Sequence, residues 1–186
     1  PVGSGPTWID LDRTRGRIPP GLLHSRLPRV NGCVMITWGE GRRGWPAAGV
    51  IAAVIDSLRY SAQLILIDLP RCLITGSTEV TSRLDDLLLV VPRDVGSVLA
   101  AGNVLNQPEL IGLEPKLVVR GPAPGGLSAT DVVDALNLPT ATVMRADPLL
   151  AADTELGLAP GLRRRQPLSR GCHRILGELG LSGAVS

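Results

Sequence analysis

Three short, uninterrupted apolar runs limit how this chain can fold: Leu64 to Asp68 (LILID), Leu87 to Val91 (LLLVV) and Leu117 to Val119 (LVV). Each is too brief for a self-burying helix and consists almost wholly of Leu, Ile and Val. Each therefore reads as a strand buried on both faces. Cys33 to Trp38 (CVMITW), set between Asn31-Gly32 and Gly39, reads the same way, and Ala141 to Met144 makes a fifth, edge-like strand. Between the runs the apolar spacing becomes helical. Strands buried on both faces and alternating with helices imply an α/β fold, a mostly parallel sheet flanked by helices.

The helices carry their own start and stop signals. Pro46 opens one in which Val50, Ala53, Val54 and Leu58 recur at helical spacing. Asp94 caps the next, with Val95, Val98, Leu99, Gly102 and Leu105 on one face. Ser128 and Asp131 form a capping box, Leu127 and Val132 a hydrophobic staple, and this helix ends near Asn137, before Pro139. Asp147-Pro148 is expected to open a short helix. The last runs from about Pro167 on a stripe of Leu168, Cys172, Ile175, Leu176 and Leu179, with Gly180 as its stop. Residues 1–31, rich in Pro, Gly and Arg, read as loop with one short helix. Residues 32–180 then form the α/β domain and 181–186 a tail.

Composition removes several classes of function. The positive charge comes from eighteen arginines and one lysine, Lys116, which follows Glu114-Pro115 and opens an apolar run. A phosphate-binding loop needs its lysine after a glycine-rich turn and before a helix, so no complete nucleotide cradle lies in these residues. Lys116 is expected to be solvated. Phe is absent, and Trp8, Trp38, Trp45 and Tyr60 are too few and scattered to stack successive bases, which argues against nucleic acid as a partner. A net charge of +2 gives no general attraction to polyanions. Cys33, Cys72 and Cys172 are widely spaced and odd in number, which fits a reducing compartment, and with His24 and His173 they lack metal-ligand spacing. No apolar stretch approaches the roughly 18 residues of a membrane span. The start at Pro1, without a methionine, is expected to mark a fragment.

Few residues point to chemistry. Asp68 ends an apolar strand, the position from which a carboxylate holds Mg²⁺ through water in phosphate-loop enzymes; an Asp that satisfies loop amides is the plainer reading of that residue alone. Asp85-Asp86, beside Arg83 and Arg93, are adjacent and so poorly placed to converge as an acid and base pair. Thr75, Ser77, Thr78 and Thr81 lack the partners of a hydrolase triad. Arg163-Arg164-Arg165, with Arg170 and Arg174, make a C-terminal basic patch suited to phosphates, anionic lipid or an acidic partner, or to a helix packed on the sheet with its arginines outside.

The order of these pieces is more specific than any one of them. Arg29 to Trp38 (RVNGCVMITW) is followed by Leu66-Ile67-Asp68-Leu69-Pro70-Arg71, then Leu87 to Pro92 with Asp94, then Leu117 to Leu127 (LVVRGPAPGGL) with Asp131-Val132-Val133 and Leu136 to Pro139. Arg145-Ala146-Asp147-Pro148 and Gly161-Leu162-Arg163-Arg164-Arg165 close the series. Taken together they resemble the C-terminal two thirds of the MinD/ParA class of deviant phosphate-loop ATPases, and within it the actinobacterial septum-site-determining, CpaE-like branch. The resemblance implies a truncated phosphate-loop NTPase fold whose glycine-rich loop lies upstream of this material. Asp68 would be the Walker B carboxylate, supporting Mg²⁺ through water. Arg120, with Val119, stands where MinD-type proteins have an Asn near the nucleotide base, which makes it a cofactor-binding candidate.

By the same resemblance the function would be regulation of cell division, or the placing of a secretion or pilus machine, by an ATP- and Mg²⁺-dependent switch. Partners would be a second copy or division and secretion proteins. The location would be cytoplasmic, with peripheral recruitment to the inner face of the plasma membrane left open. The chain by itself is expected to hold no cofactor and not to hydrolyse ATP. Two other readings stand beside this one: a nucleotide-independent scaffold that binds a protein through its arginines and sheet edge, and an unrelated Rossmann-like enzyme, for which no G-x-G-x-x-G turn is present.

Overall fold

A computed structural model describes residues 5–13, 18–19, 21–30, 32–38, 44–74, 78–161 and 163–181. The chain divides into two compact units, Pro1–Leu84 and Asp85–Ser186. Asn31, Gly39, Thr75, Ser77, Leu162 and the residues after Leu181, all cited above, lie outside the described residues.

In the first unit, helix α1 (Trp8–Arg13) and helix α2 (Leu22–Arg26) precede a short antiparallel pair, β1 (Arg29–Val30) with β2 (Cys33–Val34). The long helix α3 (Ala48–Leu58) follows, then two single-turn helices, α4 (Arg71–Ile74) and α5 (Thr78–Thr81). Helix α3 organises the unit because it is apolar on two sides. Val54 and Leu58 pack with Leu11, Leu23 and Leu27, whereas Ile51 and Ile55 pack with Val80 of α5.

Three expectations change here. The stretch before residue 31 carries two short helices rather than one, and Leu11, Leu23 and Leu27 are core residues. Only Cys33–Val34 of the CVMITW run is a strand; it turns back on Arg29–Val30, and Cys33 is exposed. Residues 64–70 are extended but join no ladder, because a strand exists only where a neighbour supplies amide and carbonyl partners, and none does among the described residues.

The second unit is built on β3 (Leu88–Pro92), β4 (Lys116–Arg120) and β5 (Thr140–Met144), all parallel, with β4 in the centre. Helix α6 (Val95–Leu105) and a 3₁₀ turn at Pro108–Leu110 link β3 to β4. Helix α7 (Ala129–Leu136) links β4 to β5, and α8 (Leu150–Glu155) and α9 (Pro167–Glu178) follow. Side chains alternate along each strand. Leu89, Val91, Leu117 and Val119 therefore meet Val98 and Ala101 of α6 and Val132, Val133 and Leu136 of α7 on one face. On the other face α9 lies against β5. An irregularity between Leu117 and Val118 leaves Ala141 as an extra residue on β5.

The sequence signals for helix ends are realised almost atom for atom. Asp94 Oδ1 accepts the Ser97 amide at 2.8 Å and Oδ2 the Ser97 hydroxyl at 2.7 Å. Ser128 and Asp131 exchange both bonds of the capping box, at 2.8 and 3.1 Å, and Leu127 joins Val132 in one cluster. Asn137 closes α7 in the left-handed region, at φ 49°. At Gly180, φ 72°, the amide bonds Gly177 O and the Leu181 amide bonds Leu176 O, a Schellman stop.

Two helical expectations need correction. Asp147 does not cap α8. Its Oδ1 accepts the Leu149 amide at 3.2 Å and its Oδ2 the Leu168 amide at 3.5 Å, so it holds a turn and the start of α9, and α8 begins only at Leu150. On α9 the most buried residues are Ser169 and Gly171, whereas Cys172 is exposed. The cause is Met144, which packs so closely that a Cβ on Gly171 would lie 2.5 Å from its Cε and 2.7 Å from its Cγ. The helix rotates its smallest residue towards the strand.

Replacing Gly171 by leucine should overpack this contact and cost about 1–3 kcal/mol in chemical denaturation, with partial recovery when Met144 becomes alanine. The caps predict a pH response. Asp94 sits below the ordinary carboxylate range because of the Ser97 hydroxyl and then its amide, and Asp131 because of the Ser128 hydroxyl and then its amide. At these sites the folded chain binds fewer protons than the unfolded chain, so their stabilisation is complete above about pH 4 and is lost as the pH falls further. The loss of helical circular dichroism below about pH 4 should become shallower when both are replaced by asparagine.

Candidate functional site

Asp68 closes the extended segment of the first unit. With a period of two, Ile65, Ile67 and Leu69 turn inward onto Ile51, Ile55 and Val80, which leaves Leu64, Leu66 and Asp68 facing out. The carboxylate is exposed, and among the described residues no hydrogen bond or ion pair engages it. Pro70 ends the segment and α4 begins one residue later.

An ion pair ties the last turn of α3 to the chain just after α5. Arg83, just beyond α5, places Nε 2.9 Å from Asp56 Oδ1 and Nη2 3.0 Å from Asp56 Oδ2, a bidentate fork onto the last turn of α3. Its Nη1 also donates to the Glu79 carbonyl, and Arg59 donates to the Arg83 carbonyl. The bond from Asp56 holds the guanidinium above its usual pKa. Water reaches both partners and screens the pair.

Arg120 ends β4 at the carboxyl edge of the parallel sheet, in register with Pro92 and Met144. Its neighbour Val119 faces α6 and α7, so Arg120 belongs to the α9 face. Asp68 and Arg120 lie in different units. Lys116, expected to be solvated, instead donates to Asp86 Oδ1 at 2.7 Å across the amino ends of β4 and β3. The chain's one ammonium is thus committed at the end of the sheet opposite Arg120.

The remaining candidates do not converge. His24 contacts Arg29 at 3.4 Å, and the His173 Nδ1 lies 2.9 Å from its own helix's Ser169 carbonyl. Thr81 is buried beneath α5. Arg163 pairs with the buried Asp153 at 3.2 Å, and Arg170 and Arg174 are exposed on α9. Among the described residues no group of three His, Cys, Asp or Glu could hold a metal, and no helix is long and apolar enough to cross a membrane. Reading the sequence for sites singled out Arg120 and passed over a signal beside it: an arginine also follows β3, as Arg93, and β5, as Arg145.

No known protein-family profile matches the chain. Two curated relatives, uncharacterized proteins of Mycobacterium tuberculosis strains CDC 1551 and H37Rv, are each 37% identical over 183 residues. The match covers 97% of this chain and 51% of each relative, so the chain spans about half their length. Among solved structures, the MinD cell division protein of Aquifex aeolicus matches with TM-score 0.61 and 23% identity, over 73% of this chain and 61% of that one. The same organism's MinC:MinD cell division protein complex matches with TM-score 0.56 and 23% identity, over 72% and 57%. A ParA family ATPase from Chlorobium tepidum reaches TM-score 0.74 at 13% identity, over 93% and 76%. The chain has a MinD/ParA-like α/β fold.

Because Asp68 is exposed and engages no neighbour among the described residues, Asp68→Asn should leave unfolding stability within about 0.5 kcal/mol of the parent chain. A larger loss in urea denaturation would make Asp68 a scaffold residue.

Proposed function

We propose that this chain is part of a MinD-like regulator of the septum-site-determining, CpaE-like kind, acting in cell division or in placing a secretion or pilus machine. The observation that carries the reading is Asp68, an exposed carboxylate at the end of an apolar extended run, in a chain with a MinD/ParA-like fold. Outward-facing Leu64 and Leu66 lead to it, and the turn into α4 follows within three residues, where a change at the carboxylate can pass into the chain.

The residues fit the expected cofactor in part. Asp68 suits Mg²⁺ held through water, since no amide or cation among the described residues competes for its oxygens, and Mg²⁺ would supply charge neutralisation for a nucleotide's phosphates. The phosphate cradle is a different matter. Its chemistry needs a lysine beside glycine-rich amides, and the single lysine of this chain is spent on Asp86. We therefore assign no hydrolytic step to these residues. Arg120, at the sheet edge, is the proposed nucleotide contact of the second unit, and residues 32–180 are proposed as one partial domain of the class.

The partners proposed are a second copy of the protein or a protein of the division or secretion machinery. The MinC:MinD complex supports protein partners for this fold. Any membrane association would be peripheral and made through such a partner.

Calorimetry separates this reading from a nucleotide-independent scaffold. The 186-residue chain should show no micromolar binding of ATP with Mg²⁺. A protein extended to the length of the M. tuberculosis relatives should bind it, and Asp68→Ala should weaken that binding at least tenfold. An extended protein that ignores ATP and whose dimerisation is unchanged by it is the scaffold.

A further inference from the structure

Helix α6 runs through VGSVLAAGNVL without a single charged residue. A surface helix ordinarily sets charged side chains opposite its buried stripe, and a helix that is apolar all round is ordinarily covered all round. Helices α7 and α9 follow the first pattern, with Asp131 and Asp134 on one and Arg170 and Arg174 on the other at exposed positions. The core side of α6 is Val98, Ala101 and Val104, and helical spacing puts Val95, Leu99 and Asn103 on the side away from it. Val95 and Leu99 are each 65% exposed. The composition of α6 is thus that of a covered helix, and its outer face is bare.

Gly102 gives an independent sign. Seven residues after Val95 and three after Leu99, it shares their face. Glycine inside a helix is less stable than alanine, and among the described residues no atom lies within 4 Å of where a Cβ on Gly102 would be. Packing within the chain therefore gives no reason for a glycine there, whereas close approach by a second backbone does.

We propose that this face of α6 is where two copies of the chain meet, the two helices packed antiparallel about a two-fold axis at Leu99. The face is complementary to itself. Bulk stands before Leu99, at Val95, and a gap after it, at Gly102, so reversing the helix lays the Val95 of each copy into the gap of the other. Antiparallel pairing also sets each flank of a helix against the same flank of its twin, which repels wherever that flank is charged, and α6 carries no charge. The amino end of each helix, positive through its aligned peptide dipoles, lies beside the negative carboxyl end of the other. A charged partner would find no complement on this face. The contact uses neither a nucleotide nor Asp68 and does not depend on the function proposed above.

The test is sedimentation equilibrium of the 186-residue chain without nucleotide, over a wide range of concentration and under reduction, since Cys33 and Cys172 are exposed. One helix on another buries less than a standard interface, so a reversible monomer–dimer equilibrium is expected, with a dissociation constant on the order of 10–100 μM. Leu99→Glu sets two carboxylates at the axis and should weaken association at least about tenfold. Gly102→Ala should weaken it severalfold while raising the urea midpoint of the chain, because alanine suits a helix better and its Cβ has room in the monomer. Weaker association in a more stable chain is not a folding defect. Val95→Glu and Asn103→Arg should each weaken association about tenfold, and the two in one chain should restore it to within about threefold of the parent, because pairing about Leu99 sets position 95 opposite position 103. Arg170→Glu on α9 should leave association unchanged. The proposal is overturned if the chain is monomeric throughout, if Leu99→Glu associates like the parent chain, or if the double variant associates no better than the single ones.

Discussion

Everything in the second unit depends on burying β4 from both sides. Leu117, Val118 and Val119 are essentially inaccessible, at 0–1% exposure. Leu117 and Val119 look towards α6 and α7, and Val118 towards the face that α9 shares. A strand in that position cannot carry polar side chains, and its backbone must find partners on both edges, which β3 and β5 supply. The capped ends of α6 and α7 then set where the crossovers leave and return. The carboxyl edge follows from that packing: Pro92, Arg120 and Met144 close the three parallel strands in register.

The first unit solves a different problem. It has one long helix and a set of short pieces, so α3 serves two clusters at once, with Ile51 and Ile55 on one side and Val54 and Leu58 on the other. The extended run up to Asp68 uses half of its apolar side chains against one of these clusters and turns the other half out. Leu66 is 79% exposed. A strand of this composition in a parallel sheet would be covered on both faces and paired along both edges. Within the described residues it has neither, and its carboxylate is left in the open.

The second unit was legible because its determinants are local. A five-residue apolar run between breakers, a Ser-x-x-Asp box, an Asp ahead of a helix and a glycine after one each act over a few residues, and each forms as its spacing implies. Where the reading failed, the deciding contact was distant in sequence. The stripe on α9 was displaced by Met144, some 27 residues upstream of Gly171. Lys116 found Asp86 only because β3 and β4 lie side by side. Of the site residues, Asp68 was visible as a carboxylate closing an apolar run, and Arg120 as the end of another. The register that sets Arg120 level with Pro92 and Met144 was not visible, since no pattern along the chain says which strand ends become neighbours.

The sequence by itself determined the alternation of apolar runs with capped helices, hence an α/β unit with a parallel sheet, and the absence of a lysine placed for a phosphate cradle. These follow from side-chain chemistry and short-range backbone geometry, which are the same in any surroundings. Only the tertiary structure decided which apolar runs become strands, which charges pair and which remain unpaired. Those outcomes depend on a partner brought close by the rest of the fold: a ladder neighbour for β3, a carboxylate for Lys116 and, among the described residues, no ladder neighbour for the run to Asp68.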